Sequence, residues 1–459
     1  MKRDVLAWAL APCVLLAVYW TGLWAWFHHD DFTLLWQAQL PAREFWPHLL
    51  EPRAQGTYRP LSERLYFYSF HQWFGFNAFP FRLWVFGTQT INLWLFAAVA
   101  RRLSGSLAVG VLGACLWAMH HGLAATMSWS SAYNQALCSF FLLVSFWLFL
   151  RFAESGRISL YVLQWLTFLA GFGALESIVL YPALLIAWCV LFRRDRLRWA
   201  MPILAGSLVL TWIQISGPSG GRADAYALVF APAALAETLL YYGRTVFSAN
   251  GPSWLAWAIG LPLGGLALCD AAKGRQCALF GWIWFVLALA PFLPLAHHLS
   301  GYYLFFPSAG LALAAATVAV YSWEYNWVAR AAAVGSILLW IAVTVPAARK
   351  EAASNYAQSV RARDLVSALA SARARHPNKT LLLSGIDETF FNASIGQQML
   401  PVAGLFNVYL APVNFPADGF TLPAEQTRRA LLRDSLIVYD ASSSPLLDVT
   451  LDYRQSLAR

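Results

Sequence analysis

Two adjacent carboxylates stand where a long apolar stretch ends. Asp30 and Asp31 follow residues 5–27, in the run His28-His29-Asp30-Asp31-Phe32. A carboxylate in this position can act as a general base and take the proton from a hydroxyl that attacks an electrophilic carbon. Consecutive side chains leave the backbone in different directions, so only one of the pair is expected to face a substrate. We predict that Asp30 or Asp31 is the base and favour Asp30, which is nearer the helix end; the alternative is a polar stop that ends the span.

Arginines supply the complementary charge. Arg59 lies in Tyr58-Arg59-Pro60, Arg64 lies five residues later, and Arg244 ends the run Tyr241-Tyr242-Gly243-Arg244. A guanidinium makes bidentate, charge-assisted bonds to phosphate oxygens and does not lose its proton. We therefore predict a phosphate-binding role for these residues, with Arg59 or Arg244 as the main ligand. The alternative for each is a side chain that reaches along the lipid surface to water.

Glu176 is a third candidate. It lies in the turn Ala174-Leu175-Glu176-Ser177 between two apolar stretches. Ionisable groups in such positions are costly unless they face a cavity or a charged partner. This predicts a catalytic role on the acceptor side or a buried ion pair, and the alternative is a solvated turn residue.

Histidines occur as adjacent pairs at three apolar helix ends. Neighbours on a helix point about 100° apart, so each pair offers one inward ring at most. One ring from each pair, namely His29, His121 and His298, together with Asp30 or Asp31 would make a nitrogen and oxygen metal site. The alternative is amphipathic histidine at a membrane interface. No cofactor is required by the pattern, and a divalent metal remains an open expectation.

The composition is that of a membrane protein. Hydrophobic residues make up 59% of the chain and charged residues 12%, and the mean hydropathy is +0.52. The 23 uncharged residues from Val5 to Phe27 are long enough to cross a bilayer and end in aromatic residues, which predicts a retained anchor. The net charge of +9 comes from arginines scattered between apolar stretches, so nucleic acid is not an expected partner.

Apolar stretches of suitable length predict eleven transmembrane helices. Positive residues gather in alternate connections, which places the N-terminus in the cytoplasm and, with an odd count, the C-terminus outside. Four Lys against 28 Arg is typical of bacteria. We expect a bacterial inner-membrane protein with its site and tail on the extracytoplasmic face. The predicted spans are 5–27, 80–100, 104–125, 132–150, 158–175, 177–192, 199–216, 253–269, 277–296, 302–321 and 328–346.

The predicted fold class is an α-helical polytopic membrane protein with a small C-terminal α/β domain. Residues 1–348 form the membrane core, in which Leu61–Phe74 is an interfacial helix of the first outer loop. Residues 349–459 are charged and patterned like a soluble domain. Its predicted strands are Thr380–Ser384, Asn407–Leu410 and Ser435–Tyr439, and its predicted helices are Val360–Arg375 and Ala424–Asp434.

Five short segments resemble, in order, the membrane cores of C-superfamily glycosyltransferases. The resemblance is greatest to the transmembrane and tetratricopeptide-repeat O-mannosyltransferases and their bacterial relatives, and it covers residues 1–346. Two departures stand out: the family's Glu-Arg appears here as Ser300-Gly301, and the repeats are replaced by the α/β tail. The segments are Asp30-Asp31, Tyr58-Arg59-Pro60-Leu61-Ser62, Trp117-Ala118-Met119-His120, Leu175-Glu176-Ser177 and the run from Tyr302 to Gly310.

The resemblance implies transfer of a sugar, with inversion, from a polyprenyl-phosphate donor to a protein, glycan or lipid acceptor at the bilayer. It implies that the first-loop acid is the base and that Tyr58, His120, Tyr302 and Tyr303 contact sugar or acceptor. One alternative is a transporter or flippase of lipid-linked sugars, which would place polar residues at the membrane midplane. Another is a non-catalytic subunit that kept the fold, an alternative that the Ser300-Gly301 departure supports.

Overall fold

The chain forms two compact units in a computed structural model, which describes residues 2–51, 58–216, 227–442 and 445–456. We call the first the helical unit; it comprises Met1–Leu23, Trp46–Tyr66 and Phe81–Ala353. We call the second the sheet unit; it comprises Trp24–Phe45, Phe67–Pro80 and Ser354–Arg459. The predicted division of the chain at 348/349 remains a prediction; besides residues of the tail, the sheet unit includes two segments that lie mostly in the first predicted outer loop.

The helical unit is built from apolar helices with short connections. Its helices are α1 (Lys2–Leu23), α5 (Ala78–Ser104), α6 (Leu107–Met119), α7 (Ala124–Ser128), α8 (Tyr133–Ser155), α9 (Ile158–Phe172), α10 (Tyr181–Phe192), α11 (Leu197–Ser216), α12 (Pro232–Ser248), α13 (Ser253–Ala272), α14 (Cys277–Leu289), α15 (Pro307–Tyr321) and the first part of α16 (Trp327–Arg375).

Small residues allow the central helices to pack closely. A Cβ added to Gly310 of α15 would lie 2.5 Å from the carbonyl oxygen of Gly281 in α14, and one added to Gly281 would lie 2.5 Å from the carbonyl oxygen of Gly310. Backbones can approach this closely only where neither helix carries a side chain at the crossing. The crossing fixes the start of α15, which directly follows the Tyr302–Phe306 part of the fifth motif segment.

Helices occupy every interval that the sequence predicts as a span. Within the described ranges, four helices are long and apolar enough to cross a membrane, and a fifth results if a pair bent by 63° counts as one span. The four are Ala78–Ser104, Ser130–Ser155, Ser253–Ala272 and Trp327–Arg375, and the bent pair is Leu107–Met119 with His121–Ser128. The multi-pass character agrees with the prediction, whereas the count of eleven and the orientation remain predictions.

The sheet unit contains a four-stranded sheet of order β2-β1-β3-β4, with β1 parallel to β2 and β3, and β4 antiparallel to β3. Leu382 pairs in register with Tyr409 and Val438, and Leu382, Leu436 and Val438 are fully buried in the core. The elements are α2 (Asp31–Ala38), α3 (Ala42–His48), most of α4 (Tyr66–Phe74), the last part of α16, β1 (Thr380–Ser384), α17 (Glu388–Ala393), α18 (Met399–Val402), β2 (Val408–Leu410), α19 (Ala424–Leu432), β3 (Leu436–Asp440), β4 (Leu447–Asp448) and α20 (Thr450–Ser456).

The predicted α/β character of the tail is confirmed. Strand β1 matches its prediction residue for residue, and β2, β3 and α19 match within one or two residues. The predicted interfacial helix Leu61–Phe74 is instead a π-helical turn over Pro60–Leu65 followed by α4.

Candidate functional site

Arg59 joins two motif segments that are far apart in the sequence. Its Nε lies 3.1 and 2.9 Å from the two carboxylate oxygens of Glu176, and Nη2 lies 2.9 Å from Glu176 Oε2. Nη1 donates to Glu63 Oε1 at 2.8 Å. The backbone N–H of Tyr58 also donates to Glu176, at 3.3 Å. We call Arg59, Glu63 and Glu176 the Arg59 cluster.

Backbone contacts hold the two segments together. The N–H of Leu61 donates to the Gly173 carbonyl at 2.9 Å, and the Ser62 hydroxyl donates to the Ala174 carbonyl at 2.6 Å. Residue 173 must be small, because a Cβ there would lie 2.9 Å from the Leu61 side chain. The turn that carries Glu176 is therefore fixed against the π-helical turn that carries Glu63.

The Arg59 cluster carries two carboxylates and one guanidinium. The Glu63 side chain is 2% exposed, and those of Arg59 and Glu176 are 20% and 29% exposed. Burial alone would lower the pKa of Arg59, but the charges of Glu176 and Glu63 outweigh it and raise that pKa. These bonds use three of the five guanidinium N–H donors. With both acids ionised, the cluster has a net charge of −1, which weakens its attraction for phosphate.

The other two predicted phosphate ligands have different surroundings. Arg64 lies on the π-helical turn and donates to the Glu51 carbonyl at 3.1 Å. Arg244 lies on α12, its side chain is exposed, and no carboxylate among the described residues pairs with it. Arg244 is thus a cation whose charge is not compensated by a described neighbour.

The end of α12 is fixed by His120. The C-terminal carbonyls of a helix lack intrahelical partners, and the Val246 carbonyl accepts from His120 Nε2 at 3.0 Å and from Trp340 Nε1 at 2.9 Å. His120 Nδ1 accepts the Gly122 N–H at 3.0 Å, and the ring is fully buried. Both ring nitrogens thus have protein partners, and His120 positions the helix that carries Arg244.

The third and fifth motif segments are also in contact. Trp117 Nε1 donates to the Phe305 carbonyl at 2.9 Å. The Tyr302 hydroxyl lies 3.2 Å from His298 Nε2. Tyr303 stacks on Phe292 with ring centroids 4.3 Å apart. These six residues belong to one packed region of the helical unit, next to the Ser300-Gly301 departure. There the Ser300 N–H donates to the Tyr242 hydroxyl of α12 at 3.1 Å.

The acidic pair belongs to the sheet unit. Asp31 is the first residue of α2, is fully buried, and accepts the His28 N–H at 3.3 Å. Asp30 is half-buried, and no described group hydrogen-bonds its carboxylate. Of the two carboxylates, that of Asp30 is accessible, whereas that of Asp31 is buried and bonded to the His28 backbone.

Tail residues hold this acidic segment in place. The His29 N–H donates to the Ala393 carbonyl at 2.7 Å, the Trp26 N–H donates to the Ser359 hydroxyl at 2.9 Å, and the Gln39 amide donates to the Val402 carbonyl at 2.8 Å. His29 adopts φ of 52°, a left-handed conformation that costs a non-glycine residue energy. The bond from the His29 N–H to the Ala393 carbonyl is made in this conformation.

The predicted metal ligands do not form a cluster within the described part of the chain. No group of three or more His, Cys, Asp or Glu side chains there could hold a metal ion. Burial lowers the pKa of His29 and of His298, and the buried His121 Nδ1 lies 3.0 Å from the Thr344 hydroxyl. The predicted metal set therefore has no geometric support in these ranges.

Sequence reasoning missed two members of the Arg59 surroundings. Glu63 lies four residues after Arg59, a spacing that brings helical side chains together, so this pair could have been found from the sequence. Asn134, whose amide lies 3.5 Å from Glu63 Oε1, comes from α8 and has no comparable local signal.

The chain matches no protein-family model and no curated protein. It is similar to the crystal structure of the Archaeoglobus fulgidus oligosaccharyltransferase tethered with an acceptor peptide containing the NVT sequon, with 11% identity and a TM-score of 0.49 over 88% of this chain and 63% of that chain. It is also similar to ArnT from Cupriavidus metallidurans bound to undecaprenyl phosphate, with 14% identity and a TM-score of 0.45 over 100% of this chain and 94% of that chain. Both neighbours are C-superfamily glycosyltransferases.

Proposed function

We propose that this chain is a membrane glycosyltransferase that moves a sugar from a polyprenyl-phosphate donor to an acceptor outside the cytoplasm, with inversion. The acceptor class is a protein, a glycan or a lipid. The proposed location is the bacterial inner membrane, with the reacting groups and the sheet unit on the extracytoplasmic face.

The observation that carries this proposal is the pairing of motif segments in the helical unit. The Tyr58–Ser62 segment is bonded to the Leu175–Ser177 segment through Arg59 and Glu176, which are separated by 117 positions. The Trp117–His120 segment is bonded to the Tyr302–Gly310 segment through Trp117 and Phe305. The segments were identified only by their likeness to one enzyme group. An accidental likeness would not predict that they contact each other in the fold.

Asp30 is the proposed general base. The acceptor oxygen attacks the anomeric carbon of the donor sugar and forms the new C–O bond, while the bond from that carbon to the phosphate oxygen breaks. Asp30 takes the proton of the acceptor hydroxyl, and the polyprenyl phosphate leaves with the bonding electron pair. The Asp30 carboxylate is half-buried and no described group hydrogen-bonds it, so it suits this role better than the buried carboxylate of Asp31.

Arg244 is the proposed main phosphate ligand, and Arg59 is the second candidate. The leaving phosphate gains negative charge as the glycosidic bond breaks, so an uncompensated cation stabilises the transition state more than the ground state. Among the described residues, no carboxylate compensates the charge of Arg244. Arg59 would need its two remaining N–H donors, or the release of a carboxylate, to reach phosphate. Glu176 is the proposed acceptor-side group. Because both of its carboxylate oxygens contact Arg59, it can bind an acceptor only when one of these oxygens is released.

A photolabelling experiment tests donor recognition. Purified protein in lipid nanodiscs is irradiated with a benzophenone analogue of undecaprenyl phosphate, and labelling is competed with undecaprenyl phosphate or with undecaprenol, which lacks the phosphate. We expect the phosphate to compete at least about tenfold better, the effect of one charge-assisted bond. Equal competition by the two lipids would contradict recognition of a lipid phosphate.

A further inference from the structure

The sheet of the sheet unit has a topological switch point. From β1 the chain passes to β2 on one side and then to β3 on the other side of β1, which gives the order β2-β1-β3. In open parallel sheets, ligands bind outside the carboxyl ends of the strands at the point where the order reverses. That point lies between the ends of β1 and β3, at Ser384 and Asp440.

A cavity of about 460 Å³ is lined by residues that follow these strand ends. Phe390 follows β1, and Ser442 and Leu446 follow β3; the remaining wall is the part of α16 that carries Arg361, Asp364 and Leu365. The volume is within the range of roughly 300–1,000 Å³ that is usual for small-molecule sites.

The strand ends that border the cavity are fixed in place. Gly385 has φ of +75°, and a Cβ there would lie 2.4 Å from Asp440 Oδ1, so only glycine fits. Asp440 also accepts the N–H and the hydroxyl of Ser442, both at 2.9 Å. The two loops that begin at the switch point therefore have a defined separation without a ligand.

The charges around the cavity are paired within the protein. Arg361 donates to Asp387 at 2.6 Å and lies 4.1 Å above the Phe390 ring, and Asp364 pairs with Arg363 at 3.2 Å. An anion such as phosphate would find no uncompensated cation among these groups. Apolar walls from Leu365 and Leu446, with a rim of paired hydrogen-bonding groups, suit a neutral ring that has C–H faces and hydroxyl edges.

The geometry points to a binding site for a neutral sugar residue at the β1/β3 switch point of the sheet unit. The assignment of that sugar to the acceptor glycan rests on the proposed function. The same length of α16 carries Ser359, which accepts the Trp26 N–H. The sugar site and the acid-bearing segment thus share one helix of one unit.

Filling the cavity tests this assignment. Ala357 and Ala368 of α16 line the cavity, whereas Ala370 is an exposed residue of the same helix that does not. Ala357→Trp and Ala368→Phe place new side chains in the cavity, and Ala370→Trp is the matched control. Full-length protein is purified in an amine-oxide detergent, because maltoside and glucoside detergents carry competing sugars. Mannobiose, galactobiose and chitobiose are then assayed by saturation-transfer NMR, with melting temperature as the folding check.

We expect at least one disaccharide to bind wild-type protein and Ala370→Trp equally, and at least about tenfold more weakly to both cavity variants, because the new side chains occupy its volume. Absence of saturation transfer for all three disaccharides at about 10 mM, the weak end of specific binding, would overturn the inference. So would displacement of the sugar by trialanine or inorganic phosphate at lower concentration.

Two readouts, saturation transfer and photolabelling, separate this inference from the proposed function. Saturation transfer needs neither donor nor turnover, so its failure leaves recognition of undecaprenyl phosphate untouched. If the cavity variants lose photolabelling by the undecaprenyl phosphate analogue but Ala370→Trp does not, the cavity serves the donor, and the acceptor assignment is wrong.

Discussion

Arg59 and Arg244 present the same side chain in two opposite electrostatic settings. Arg59 is bonded to Glu63 and Glu176. With both acids ionised, their two negative charges exceed the single positive charge of Arg59 by one. Arg244 is exposed on α12 and has no described carboxylate partner. The comparison shows that two arginines with the same predicted role differ in charge compensation: Arg59 is paired with two carboxylates, and no described carboxylate pairs with Arg244.

Removing Arg59 should have the larger effect on stability. Arg59→Ala removes the guanidinium that pairs with the buried Glu63, and removal of one partner of a buried pair costs about 3–5 kcal/mol. Arg244→Ala should change stability by less than about 0.5 kcal/mol, as surface substitutions usually do. Thermal unfolding of the two variants in one amine-oxide detergent measures both effects on stability. Equal melting temperatures for the two variants would show that the Arg59 cluster is not a structural pair.

Removing Arg244 should have the larger effect on donor binding. Loss of a charge-assisted bond costs about 1.5–3 kcal/mol, so Arg244→Ala should weaken undecaprenyl phosphate binding about ten- to a hundredfold. Arg244→Lys keeps the charge and should lose less. Arg198→Ala, an exposed arginine on the predicted cytoplasmic side, is the matched control for photolabelling. Unchanged labelling in Arg244→Ala would return the phosphate role to Arg59.

Releasing Arg59 from its partner offers a way to reverse the comparison. Glu176→Gln keeps the shape of the side chain but removes its charge, so the cluster changes from a net charge of −1 to zero. If Arg59 lies near the donor, undecaprenyl phosphate should bind about three- to tenfold more tightly, a gain of less than about 1.4 kcal/mol. Unchanged or weaker binding would assign Arg59 to positioning the Glu176 turn.

The membrane side of each arginine gives a qualitative prediction. The distribution of positive residues places the tail after Arg349 outside the cytoplasm. Fusions after Arg349 should therefore be active with alkaline phosphatase and dark with a fluorescent protein that folds only in the cytoplasm. The reverse pattern would move Arg244 to the cytoplasmic side and remove it from the proposed site.

Local patterns in the sequence predicted the elements but not their long-range partners. Helices lie at each predicted apolar interval, and β1 matches residue for residue, because burial periodicity and turn residues act over a few positions. The bond between Arg59 and Glu176 spans 117 positions and depends on tertiary packing. The acidic segment is held in the sheet unit largely by backbone groups, such as the His29 N–H and the Ala393 carbonyl. Backbone groups are the same in nearly all residue types, so the sequence does not predict these bonds.

Sugar transfer by the paired Asn variants of the acidic segment tests the account most directly. Proteoliposomes are loaded with the lipid-linked sugars and acceptors extracted from the source membranes, and mass spectrometry follows conversion of the lipid-linked sugar to undecaprenyl phosphate. Asp30→Asn should lower the rate by about 10²–10⁴, the usual contribution of a general base, with donor photolabelling retained. Asp31→Asn should act mainly on stability, because that carboxylate is buried against His28. Wild-type conversion by both variants would contradict the account and move the search for the base to Glu176.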